Sequence, residues 1–327
     1  MAENPAKDIL DVVGVRQTSS GVFESKEFPE QMGNAANIAY GGCALGVACM
    51  AAHQDLPENH RLYSMSGNYL GPSACDRNLL CRVQNIRNTR TFTTRLVTVY
   101  QKQDNGSERS CLVTLVDFHH VEPAALMSYS KPPHRTYKHA SETLDIYDLR
   151  ERLLKEGKMT KQQLAIHQKS FGLMGRLFQS RPCEEGIGGQ TLNGLIKTIP
   201  TTQDHLPLAD RTAADWWRCR TALSSRADQA SALAFAMDGA VSFIPLTLQR
   251  MFLDDAGACS SLDFSMRVFS NDFDLTKWVL REWRTISAAV GRTYSESQLW
   301  DEKGNMIASM TQASIMRPPV KKGKSKL

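Results

Sequence analysis

Eight cysteines, at positions 43, 49, 75, 81, 111, 183, 219 and 259, form no Cys-x-x-Cys pair and no short Cys/His cluster at zinc spacing. That pattern argues for reduced, buried thiols and against a metal centre. No Gly-x-Ser-x-Gly occurs, so the strained turn that exposes a hydrolase serine is not expected. Gly186, Gly188 and Gly189 lack the third glycine of the dinucleotide fingerprint, and Gly323, Lys324 and Ser325 lack the upstream glycine of a phosphate loop. His119 and His120 end a strand-like run and read as surface histidines rather than ligands. No metal and no cofactor is expected. The chemistry has to lie in ordinary polar side chains that the fold brings together.

The elements that would position them occur twice. A Gly/Ala-rich segment from Gly42 puts Leu45, Ala48, Cys49 and Ala52 at i, i+3, i+4, i+7, the stripe of one helix face. Strand-like runs follow at 62–70, 79–87, 91–101 and 110–119, with Asp104, Asn105 and Gly106 turning the chain before the last. A second helix is predicted over 227–248, with Leu233, Met237, Val241 and Ile244 as its apolar stripe. Its strands are predicted at 261–269, 277–286, 292–300 and 306–316, and a turn at 301–304 again contains a glycine. The common order indicates an internal duplication. Between the copies, 124–204 loses strand periodicity and gains Pro132, Pro133 and several glycines, while 147–178 carries enough spaced leucines for one or two amphipathic helices. The domains expected are therefore 1–123, a partly helical linker 124–204, a second domain 205–319 and a basic tail 320–327.

Several segments resemble one family. Tyr40-Gly-Gly-Cys-Ala-Leu-Gly-Val-Ala is similar to the start of the central helix of type II acyl-CoA thioesterases, with Cys43 where the family usually has Gln. Asp238 follows the run 229–237 and precedes Phe243-Ile244-Pro245, much as the family's catalytic Asp precedes an apolar-Pro segment, although the gap is longer here. Ser261-Leu262-Asp263 looks like the family's Ser/Thr-Leu-Asp-His strand start, with Phe264 in place of the His. The segment from Met310 to Arg317, which contains Gln312, is similar to the closing strand in which the family's Gln is catalytic. The resemblance covers nearly the whole chain outside the linker. It implies an α+β double hot-dog fold, two fused domains each with an antiparallel sheet wrapped round a central helix.

The resemblance also implies an activity, hydrolysis of an acyl-CoA to free acid and CoA, with Asp238, Ser261 and Gln312 as the catalytic set. A thioester carbonyl is already electrophilic, so its hydrolysis needs mainly an oriented, partly deprotonated water and stabilisation of the developing oxyanion. Asp238 would take the proton from water or orient it, while Ser261 and Gln312 hold the water and the carboxylate. Ser260 is the near alternative to Ser261, and Asp263 reads as support for the strand start. Backbone N–H groups near Gly41 and Gly42 would receive the thioester oxygen, where the helix dipole favours negative charge. Phe264 and Met266 are expected to border the substrate, and Met32, Phe243 and Phe269 are further candidate walls that core packing explains equally well. The resemblance leaves two roles open, fatty-acid turnover and hydrolysis of an acyl intermediate of a specialised pathway, and the changed run from Phe264 to Phe269 leans to the second. Two other classes stay open: a hot-dog hydratase or dehydratase, which would need a His/Asp pair, and a non-catalytic acyl-CoA binding protein.

The chain has 327 residues, 42% hydrophobic and 22% charged, enough to bury a full core. A net charge of +5, with Lys321, Lys322, Lys324 and Lys326 in the tail, gives no indication of nucleic-acid binding. Residues 31–52 are uncharged, but Ala and Gly dominate and Asn34 and Asn37 interrupt, so a buried helix is expected rather than a membrane span. No cationic start precedes an apolar stretch, and secretion is not expected. Ser325, Lys326 and Leu327 spell the peroxisomal import tripeptide at the C-terminus, which predicts a peroxisomal location and an import receptor as partner. Exposed sheet edges in such a fold lead to the expectation of a homo-oligomer.

Overall fold

A computed structural model describes residues 7–33, 37–122 and 125–319. The first half contains α1 (Ile9–Val13), β1 (Val15–Ser19), β2 (Val22–Ser25), α2 (Gly41–Ala52), β3 (His60–Tyr69), β4 (Leu80–Asn88), β5 (Phe92–Lys102) and β6 (Glu108–His120). The middle of the chain adds α3 (Ile146–Lys155), α4 (Lys161–Leu177), β7 (Phe178–Pro182) and α5 (Ile187–Thr191). The second half contains β8 (Ala213–Cys219), α6 (Arg226–Met237), α7 (Ile244–Leu248), β9 (Ala258–Val268), β10 (Val279–Ala289), β11 (Arg292–Asp301) and β12 (Met306–Arg317). The import tripeptide lies outside the described residues.

All the strands join one antiparallel sheet of twelve, in the order β1-β2-β4-β5-β6-β3-β9-β12-β11-β10-β8-β7. Each half of this order mirrors the other, with β3 and β9 paired at the seam, where Ser66 faces Ser265 and Met65 faces Met266. The duplication is therefore a near-twofold relation within one continuous sheet. β7 falls inside the stretch read as linker, and pairs with β8 to complete the second half. β8 escaped the sequence reading because Ala213–Cys219 is almost continuously buried; a strand covered on both faces shows no period-two alternation.

The two 12-residue helices α2 and α6 lie side by side under the sheet and run antiparallel. The contacts fix that direction: a Cβ at Gly42 would meet the Phe235 carbonyl, and one at Gly46 would meet the Ser231 carbonyl. Burial of α2 is not confined to the predicted stripe, since every residue from Gly42 to Ala52 is buried. Sheet on one side and α6 on the other leave no solvent face. The two helices share one core cluster with residues of both sheet halves. Among the described residues no helix is long and apolar enough to cross a membrane.

The helix predicted over 227–248 is broken. α6 stops at Met237, and Ala240 takes a left-handed φ of 73° before α7 resumes. Val241 and Ile244, placed on the same stripe as Leu233 and Met237, pack into a separate cluster with Trp283. The carbonyls freed at this helix end find side-chain donors: Arg281 Nη1 donates to Ala236 O at 2.7 Å and Trp283 Nε1 to Gly239 O at 2.9 Å. Partners for the last carbonyls are what allow a helix to end inside a protein.

Gly46 tests the helix seam. A Cβ there would sit 2.5 Å from Val13 Cγ1 and 3.3 Å from the Ser231 carbonyl. Alanine gains up to about 1 kcal/mol of helix propensity, whereas overpacking a filled core costs about 1–3 kcal/mol. Gly46→Ala is therefore expected to lower the denaturation midpoint, read by chemical or thermal unfolding; an unchanged or raised midpoint would show that α1 yields at no cost.

Candidate active site

The break after α6 leaves Asp238 as the C-cap residue of that helix, only 5% exposed. Two side-chain donors hold its carboxylate. Tyr69 Oη, at the end of β3, donates to Asp238 Oδ1 at 2.9 Å, and Gln312 Nε2, on β12, donates to the same oxygen at 2.5 Å. The backbone amide of Gly42, in the first turn of α2, favours the ionised carboxylate as well. Gln312 is fully buried, and its own carbonyl, Oε1, accepts from Ser261 Oγ at 3.1 Å. One chain of hydrogen bonds thus runs from Ser261 through Gln312 to Asp238, with Tyr69 arriving from the other half.

Strand register sets this arrangement. Gln312 pairs with Phe264, and a register shift between Ala313 and Ser314 brings Ser261 rather than Ser260 toward Gln312. Ser260 is exposed, and Asp263 Oδ1 accepts from the Ala313 amide at 3.3 Å, a contact within the sheet. Gly41 is needed for close approach, because a Cβ there would lie 2.9 Å from Asp238 Oδ2 and 3.1 Å from Tyr69 Oη. Gly42 is equally constrained: its Cβ would strike the Tyr40 ring, which is fixed by a 2.7 Å bond from Tyr40 Oη to the Phe235 carbonyl.

Two placements differ from expectation. The Gly42 amide, expected at the thioester oxygen, instead meets the Asp238 carboxylate. Phe264 and Met266 belong to the main core, with the Phe264 ring tilted against Tyr69 at 5.8 Å, and Phe269 is 60% exposed. Met32 and Phe243 do line a cavity of about 110 Å³. Its wall includes Gly239 and Ala240, directly after Asp238, together with Phe171, Phe178, Trp217 and Trp283. Cys43 has no exposure; burial raises its thiol to about 12, so it is a core residue and not a nucleophile.

Tyr69 was missed by the sequence reading. It sits before Leu70-Gly71-Pro72 with nothing in its neighbourhood to mark it, and only the β3–β9 seam brings it to Asp238, 169 positions away. Arg281 was missed too. Its buried guanidinium pairs with Asp215 at 3.0 Å while donating to Ala236 O, so it fixes the end of α6 on which Asp238 is mounted.

Burial pushes the Asp238 carboxyl above its ordinary value, and the bonds from Gln312, Tyr69 and Gly42 pull it back without cancelling the rise. A carboxylate in that state is a stronger base than a solvated one while still held in place. Among the described residues no group of three or more His, Cys, Asp or Glu is placed to hold a metal ion.

Such a site, at the junction of two helices under a duplicated antiparallel sheet, defines the class as a double hot-dog protein with a carboxylate-amide-hydroxyl centre. Solved structures agree on the fold. The acyl-CoA thioesterase II TesB2 of Mycobacterium marinum is 15% identical with a TM-score of 0.67, over 95% of this chain and 98% of that one. The tesB protein of Mycobacterium avium subs paratuberculosis gives the same values, 15%, 0.67, 95% and 98%. A conserved protein with hot dog fold from Alicyclobacillus acidocaldarius is 13% identical, with a TM-score of 0.65 over 95% and 98%. No curated protein matches in sequence. Family descriptions do match: the acyl-CoA thioesterase N-terminal domain over residues 28–119 and the C-terminal domain over residues 182–316. The chain belongs to the acyl-CoA thioesterase family and is a thioester hydrolase.

The Tyr69 bond can be tested without turnover. Removing a donor to the ionised carboxylate raises its pKa. In Tyr69→Phe the Asp238 carboxyl, followed by 13C NMR, is expected to titrate at higher pH than in the wild type; an unmoved or lowered midpoint would remove Tyr69 from the site.

Proposed function

We propose that the chain hydrolyses an acyl-CoA to a free carboxylic acid and CoA, with Asp238 as general base, Gln312 and Ser261 holding base and water, and Tyr69 steadying the carboxylate. The observation that carries this reading is the buried Asp238 with two side-chain donors, Tyr69 and Gln312, converging on Oδ1. Asp238 takes a proton as the water oxygen bonds to the thioester carbon. The tetrahedral intermediate then collapses, the C–S bond breaks, and the leaving thiolate recovers the proton from Asp238. A carboxyl raised toward neutral pH suits both proton transfers. A hydratase is disfavoured because, among the described residues, no histidine hydrogen-bonds to Asp238.

The acyl group is assigned to the cavity beside Gly239. Its walls are mostly apolar, with the Arg281–Asp215 pair, Arg150 and His167 among them, and suit a hydrocarbon chain; α4, from the linker, forms one side. Phe171, at a non-helical φ of −120° inside α4, turns its ring toward Phe243 at 5.8 Å and Phe252 at 6.2 Å. The linker thereby becomes part of the substrate site. Metabolism of a specialised acyl intermediate in the peroxisome fits the altered run after Asp263 and the terminal tripeptide, with an import receptor as partner. Homo-oligomers would use the outer strands β1 and β7, which end the sheet.

Free-thiol release from a panel of short, long, branched and functionalised acyl-CoAs tests the reaction. Asp238→Asn and Gln312→Ala, both shown folded, are expected to lose about 10²–10⁴-fold in turnover; a folded Asp238→Asn that keeps full activity would overturn the assignment. Phe171→Ala is expected to shift the preferred acyl-CoA toward longer or bulkier chains, read as the ratio of kcat/KM values across that panel. An unchanged ratio would place the acyl chain elsewhere.

A further inference from the structure

The near-twofold relation that builds the active site builds a second junction at the other end of the helix pair. There the C-terminus of α2 meets the N-terminus of α6, and His53, the C-cap residue of α2, stands where Asp238 stands on α6. A cavity of about 290 Å³ opens at this junction, lined among others by His53, His60, Arg61, Arg226, Asp272 and Asp274. None of these groups enters the reaction proposed above.

The lining brings two arginines and two aspartates together and is incompletely satisfied. Arg61 Nη1 donates to the Glu58 carbonyl at 2.8 Å, and Arg226 Nη1 donates to the same oxygen at 2.9 Å. Two guanidiniums are thus drawn to one oxygen, and among the described residues neither makes an ion pair with a carboxylate. Arg61 is 8% exposed and His60 6%, yet Arg61 Nε and both ring nitrogens of His60 have no hydrogen-bond partner. Burial lowers the His60 pKa, so its ring is offered as a neutral N–H donor. Of the two acids, Asp274 is occupied by its own turn, accepting from the Thr276 amide at 2.9 Å and the Thr276 hydroxyl at 2.6 Å, and Asp272 is exposed at the rim. Like charges held together beside unsatisfied buried donors are stabilised when an anion joins them.

The end of α6 is not what would attract that anion. Ser225 Oγ accepts from the Asp228 amide at 3.0 Å and Asp228 Oδ2 from the Ser225 amide at 3.0 Å, so the helix is capped by its own residues. Arg61, Arg226 and His60 carry the recognition. Paired guanidiniums and an imidazole suit a tetrahedral dianion with several acceptor oxygens better than a single halide.

We propose that this cavity is an anion site for a phosphoryl group, free or as the phosphate ester of a nucleotide, placed where the duplication would have put a second catalytic centre. Isothermal titration calorimetry of the full chain with inorganic phosphate and with adenosine 3′,5′-bisphosphate, at constant ionic strength, tests it. Arg226 is exposed, so Arg226→Ala and Arg226→Glu are expected to fold and to retain thioester hydrolysis. Loss of one charged donor should weaken binding about tenfold, and charge reversal more. Variant-sensitive binding of phosphate supports the free-anion source, and variant-sensitive binding of the bisphosphate alone supports the nucleotide. Absence of binding by both probes, or equal binding by wild type and Arg226→Glu, would overturn the site. Arg61→Gln is a second probe of the same cluster. Because the readout is binding and not turnover, the result stands apart from the assignment of Asp238.

Discussion

Everything in the active site depends on a carboxylate placed at the wrong end of its own helix. Asp238 caps the C-terminus of α6, where the helix dipole is negative and an acid is disfavoured, by about 0.3–1 kcal/mol at an exposed site. Burial adds a desolvation cost that is larger still. Compensation comes from the neighbouring helix. α2 begins with Tyr40 as a cap residue that makes no side-chain cap bond, so its first amides are left for an acceptor outside the helix, and the Gly42 amide favours the ionised form of Asp238. The antiparallel seating of α2 on α6 is therefore both the core of the fold and the condition for an ionisable group at its centre. Small residues follow from the same demand: Gly41, Gly42 and Gly46 each sit where a Cβ would strike Asp238, Tyr40 or Val13.

Some of this was legible in the sequence. The strands of both halves appear as alternating runs because one sheet face packs on the helices while the other meets solvent or loops, and the repeated Gly106 and Gly304 turns, at φ 79° and 82°, need positive φ in both copies. Asp238, Gln312 and Ser261 were carried by family-like segments, and the structure brings them into one chain of hydrogen bonds. What stayed hidden were relations across the seam. Tyr69 acts on Asp238 through the pairing of β3 with β9, and no local pattern encodes that pairing. The break after Met237 was hidden for a different reason. Apolar residues continue past Asp238 at helical spacing, and it is Arg281 and Trp283, distant in sequence, that satisfy the carbonyls where the helix stops.

Duplication created two helix-end junctions, and side-chain chemistry made them unequal. At one end the carboxylate of Asp238 accepts bonds and carries a negative charge that α2 stabilises. At the other end His53 lies against the Cys49 carbonyl, with Nδ1 at 2.7 Å, so its N–H is consumed by its own helix. Burial lowers the pKa of His53 to about 4, leaving a neutral ring at physiological pH with no charge to offer a reacting water. The position equivalent to Gln312 on β6 is also apolar: Gln312 pairs with Phe264 across β12 and β9, while Val116 pairs with Met65 across β6 and β3. At the second junction the base is thus weak and the amide side chain that would support it is missing. An isolated replacement of His53 by a carboxylate would place a charge beside Val116 and a self-capped α6, where neither an amide side chain nor a free helix amide could answer it. The asymmetry between the two junctions is fixed by several residues at once rather than by one.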